Sequence, residues 1–216
     1  GGGTNAGHST SLAPPAIANG AAFILPTDND NDFGISSTGG GIVQAFEEGD
    51  LREEVTLANY GLDNFLDPTK PAGSLFYVNK YFAGDQFPPN QSPYNFPVIR
   101  YAEVLLIAAE ALMMDGKADE AVTYFNALRQ RAAREGVDFS VSKSGLIINL
   151  ILDERARELS GEMHRWFDLI RTGKALENIK AYSANGQNIE ERHLLRPIPQ
   201  NQIDRLSVPF EQNSGY

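Results

Sequence analysis

The hydrophobic pattern divides this chain near Asn95. From Val98 to Met114 apolar residues fall on nearly every face, as expected of a buried helix. Pro97 suits its first turn, with Asn95 as the cap before it. Asp115-Gly116-Lys117 breaks the pattern, and Gly116 can take the left-handed conformation that ends a helix. A second helix is predicted over 118–134, its stripe running through Ala121, Val122, Phe125 and Leu128. The two make a helical hairpin, 97–134. Further helices are predicted over 144–160 and 162–171, then a shorter one from Gly173 to about Tyr182. Asn185-Gly186 is a turn, and Pro197, Pro199 and Pro209 keep the tail from Leu194 extended along the helices.

The hairpin fits the tetratricopeptide pattern of roughly 34 residues. Ala121 takes the small position of the second helix, with Phe125 and Leu128 at its packing positions. Leu105, Ala109 and Leu112 then face them from the first helix. No second clear copy follows. One repeat cannot bury its own faces, so this chain alone should leave an apolar patch larger than a monomer's usual few hundred Å², and either self-association or prior loss of an N-terminal segment is expected.

Before Asn95 the pattern is different. Residues 1–46 carry only Asp28, Asp30 and Asp32 as charges, and nine of the twenty glycines lie in the first 41 positions. This segment reads as long loops pinned by short apolar pieces such as Phe23-Ile24-Leu25. Residues 47–95 pair a charged stretch with an aromatic-rich one holding Tyr60, Phe65, Phe76, Tyr77, Tyr81, Phe82 and Phe87. Recurrent prolines favour short strands and turns there. We place a loop-rich variable segment at 1–48 and a second unit at 49–216.

A net charge of −10 argues against a nucleic-acid surface and against a polybasic lipid-binding patch. Cysteine is absent, which excludes disulfides, thiolate metal sites and a Cys nucleophile. The longest apolar run, Val104 to Ala109, is far short of the eighteen or so residues that span a bilayer. The chain opens on Gly1-Gly2-Gly3 rather than Met, so it reads as a processed, truncated or engineered piece.

The densest chemistry lies in Glu154 to Leu159 and Glu162 to Arg171. Glu158 and Glu162 could pair as acid and base, or His164 and Asp168 as metal ligands. Structural ion pairing is the stronger reading. Glu162–Arg165, Arg165–Asp168, Asp168–Arg171 and Arg155–Glu158 are opposite charges three apart, with Trp166, Phe167, Leu169 and Ile170 on the apolar side. Trp166 is expected in the core. The run Asp28 to Asp32 resembles the start of a calcium loop, but Phe33 and Gly39 stand where a glycine and a bidentate glutamate belong. Calcium and a solvated turn both remain open there. The aromatics of 60–94 could stack on sugar faces or fill the junction between loops and helices. The three histidines are scattered, and no nucleophile elbow, P-loop or dinucleotide fingerprint occurs.

Three long motifs resemble one family. Phe96 to Ala111 is similar to one of its helices. Glu154–Leu159 followed by His164-Arg165-Trp166-Phe167-Asp168-Leu169 is similar to its central signature. Leu195 to Asp204 with Gln212 to Tyr216 is similar to its C-terminal end. Gly49-Asp50-Leu51-Arg52 and Asn79-Lys80-Tyr81 resemble two shorter motifs, in the same order. The chain therefore resembles the C-terminal part of the RagB/SusD, or SusD-like, family. Gly161, Met163, Arg196 and Ser214 depart mildly from its motifs.

That resemblance implies a mainly α fold of TPR-like helical hairpins with a loop-rich N-terminal region. It implies glycan binding at the cell surface of the outer membrane and delivery to a TonB-dependent SusC-like transporter. Membrane contact would come only through a lipid anchor on an N-terminal portion outside this sequence. No enzyme activity, cofactor or metal is implied. The family motifs are fold motifs, so candidate ligand residues come from the chemistry of this sequence alone. Phe33, Tyr60 and Phe65 are nominated because they sit among Gly, Asp or Asn. The alternative is a TPR-like protein–protein interaction scaffold without sugar affinity.

Overall fold

A computed structural model of the protein describes residues 24–25, 42–58, 76–78, 80, 97–182 and 186–216. The chain order is β1 (Ile24–Leu25), α1 (Ile42–Ala45), α2 (Arg52–Thr56), β2 (Leu57–Ala58) and β3 (Phe76–Val78). It continues with α3 (Tyr101–Met114), α4 (Ala118–Ala132), α5 (Ile148–Glu158), α6 (Arg165–Arg171), α7 (Ala175–Tyr182) and α8 (Gln200–Ile203). The fold is mainly helical.

The hairpin packs as its spacing requires. Ala121, Phe125 and Leu128 of α4 meet Leu106 and Ala109 of α3, all at 1% exposure or less. Leu146 and Ile151 close this core from the α5 side, and Leu105 and Leu112 pack at its margin. Gly116 takes a φ of +77°, which lets the amide of Lys117 donate back to the Leu112 carbonyl at 2.8 Å and stop α3.

Helix α3 starts at Tyr101 rather than at Pro97. Arg100 is held extended before it (φ −134°, ψ 161°) without a side-chain cap. Its guanidinium is engaged by acidic residues of another element instead. Helix α6 likewise starts at Arg165, after a turn in which Gly161 and Met163 have φ of +77° and +64°.

The other described part is a small antiparallel sheet in the order β1-β3-β2. Ile24 pairs with Tyr77 and Leu25 with Phe76 on one side; Leu57 pairs with Val78 and Ala58 with Tyr77 on the other. The sheet takes strands from both sides of residue 48. Backbone bonds fasten this part to the helices: Leu51 donates to the Ala132 carbonyl at 2.9 Å and Arg134 to that of Gly49 at 2.8 Å.

Three expectations are corrected. Trp166 is half-buried rather than a core residue, and Phe167 is 68% exposed; only Leu169 of that set is fully buried. A seven-residue helix turns fewer than two full times, so the preceding turn sets which side faces inward. Helix α3 is not wrapped: Tyr101, Val104, Ile107 and Met114 are exposed. The tail does not pack along the helices either, since Leu195, Leu206, Val208 and Phe210 are exposed. It closes on itself, with the Gln212 carboxamide accepting from the Ile198 amide and donating to its carbonyl, both at 2.8 Å. Asn213 adds a bond to the Arg196 carbonyl at 2.7 Å.

Candidate functional site

Two arrangements of polar side chains invite a functional reading. The first is built on α5 and the turn after it. Glu154 is fully buried, and its carboxylate accepts from Arg52, from Arg129 at 3.0 Å and from Arg157 at 3.1 Å. Glu158 accepts from Arg52 at 3.0 Å, Arg100 at 2.6 Å and Arg131 at 2.8 Å. Glu162 accepts from Arg100 at 2.8 Å and is paired with the Lys80 ammonium. Asp50 fixes Arg52 from its far side, at 2.6 Å and 2.9 Å. Glu47 takes Arg129 at 2.9 Å and Arg157 at 3.1 Å.

This lattice joins the segment before α2, Lys80 next to β3, the residue before α3, helix α4 and helix α5. Structural ion pairing is therefore its role, but not through the neighbours three apart that the sequence suggested. Of those, Asp168–Arg171 forms at 2.8 Å. Glu158 instead turns to arginines from three other elements, Arg155 to Asp168 at 2.6 Å, and Glu162 to Arg100 and Lys80. Arg165 donates to the Leu152 carbonyl at 2.8 Å and to Asn178 at 3.1 Å.

The charge states follow from these contacts. Burial pushes the Glu154 carboxyl up, but Arg52, Arg157 and Arg129 outweigh it and hold it below its ordinary range. Burial opposes ionisation of Glu158 too, and Arg100, Arg131 and Arg52 bring it below its ordinary value. Burial lowers the Lys80 ammonium, against the attraction of Glu162. A general acid must hold a proton near neutrality, and Glu158 does not.

The second arrangement is a groove of about 440 Å³ between α3 and α6. Ile107, Ala111 and Met114 form one wall and Phe167 the other. Glu103, Arg155, His164 and Asp168 lie at its base, and the Glu110–Arg171 ion pair closes one edge. Asp168 is paired with Arg155 at 2.6 Å and Arg171 at 2.8 Å, so its charge is already matched by two guanidinium groups. His164 Nδ1 lies 3.5 Å from Glu103 Oε1, and Arg155 Nη2 lies 3.6 Å from the same oxygen. Among the described residues, Glu103 Oε2 and Arg155 Nη1 are buried without a hydrogen-bond partner.

Phe33, Tyr60 and Phe65, nominated as sugar platforms, lie outside the described residues, as does the Asp28–Asp32 loop. The groove was missed by sequence reasoning. Its signal was present, since Glu103 interrupts the apolar run that opens α3, but nothing local says which face of α3 lacks a neighbour.

The SusD family model matches residues 51–216. SusD-like protein P2 of Formosa agariphila is 36% identical over 163 residues, covering 70% of this chain and 31% of the relative. Among solved structures, a SusD superfamily protein of Bacteroides thetaiotaomicron aligns with a TM-score of 0.61 and 30% identity, over 77% of this chain and 38% of that one. A laminarin-binding SusD-like protein aligns with a TM-score of 0.56 and 28% identity, over 81% of this chain and 37% of that one. The chain thus spans well under half the length of these relatives.

Proposed function

This chain belongs to the SusD family, and from that premise we propose that it is part of a cell-surface glycan-binding protein. In this reading it captures oligosaccharide or polysaccharide at the outer membrane and passes it to a SusC-like TonB-dependent transporter. The observation that carries the proposal is the match to a SusD-like protein that binds laminarin. The lattice supports binding without cleavage: Glu158 and Glu162 are each held by cations, so neither of these two is free to protonate a glycosidic oxygen. Phe33, Tyr60 and Phe65 are the proposed sugar platforms.

A glycan array followed by calorimetric titration tests this reading. We expect saturable binding of a β-glucan or another oligosaccharide, and no release of reducing sugar. Alanine at Phe33, Tyr60 or Phe65 should weaken binding about three- to tenfold, the range of one aromatic contact. Absence of binding across the array, or hydrolysis abolished by Glu158→Gln, contradicts it. The exposed apolar face of α3 favours a second reading, a helical scaffold for protein–protein contact.

A further inference from the structure

We draw no further inference here: the strongest candidate, the groove between α3 and α6 walled by Ile107, Met114 and Phe167, carries nothing, because nothing in the structure shows what covers it.

Discussion

Helices α5 and α3 reverse the usual relation between hydrophobicity and burial. In α5, Ile151 to Glu158 are all buried although Asp153, Glu154, Arg155, Arg157 and Glu158 are charged. In α3 the sequence is almost wholly apolar, yet only Glu103, Leu106 and Ala109 are buried. Charge survives inside α5 because Arg52, Arg100, Arg129 and Arg131 arrive from other elements to pair with Glu154 and Glu158. Apolar surface remains outside on α3 because α4 and α5 cover part of its circumference and no described element covers the rest. Burial along a helix is thus decided by what other elements bring to it.

The largest test of this contrast is removal of Glu154. Glu154→Ala leaves Arg52, Arg129 and Arg157 buried with fewer counter-charges, and urea unfolding should show a loss of about 3–5 kcal/mol. A loss below about 1 kcal/mol would mean that the lattice is solvated. Trp166, being half-buried, should cost about half of a core truncation, roughly 2 kcal/mol on Trp166→Ala in the same assay. A smaller effect is expected at Met163, whose left-handed φ strains a side chain that is 64% exposed. Met163→Gly removes that strain but adds freedom to the unfolded chain, for a net gain of about 0.5 kcal/mol. On the other side of the comparison, Ile107→Ser should lie within about 0.5 kcal/mol of the parent, as an exposed position does. A core-like loss at Ile107 would mean that α3 is covered in solution.

Much of the helical body was legible in the sequence, because hairpin packing obeys a local rule. Ala121, Phe125 and Leu128 meet Ala109 as expected, while Leu106 is the fully buried partner and Leu105 and Leu112, which the spacing favoured, pack at the margin. The presence of a structural charge cluster was legible too, but not its wiring. The spacing rule for ion pairs reaches only three or four residues, whereas Glu154 meets Arg52 across 102 positions and Glu162 meets Lys80 across 82. Arg52, Lys80 and Arg100, each within a motif noted in the sequence, meet at one set of glutamates, and Asp50 of the first motif holds Arg52 in place. The orientation of α6 was illegible because a Met in the left-handed region before it has no sequence signature.

The central claim is that the carboxylates of α5 hold the fold together and do no acid–base chemistry. Glu154 and Glu158 titrate below their ordinary value of 4.5 in the folded chain, so the unfolded chain binds more protons than the folded one as acid is added. Their contribution to stability is complete above that value and is lost as pH falls through the folded values. Carbon-13 NMR titration of the Glu158 carboxyl measures this directly. The account predicts that Glu158 stays ionised from neutrality to below pH 4.5 for as long as the chain remains folded. A carboxyl that takes up its proton above that value, towards neutrality, would contradict the account and restore Glu158 as a candidate general acid.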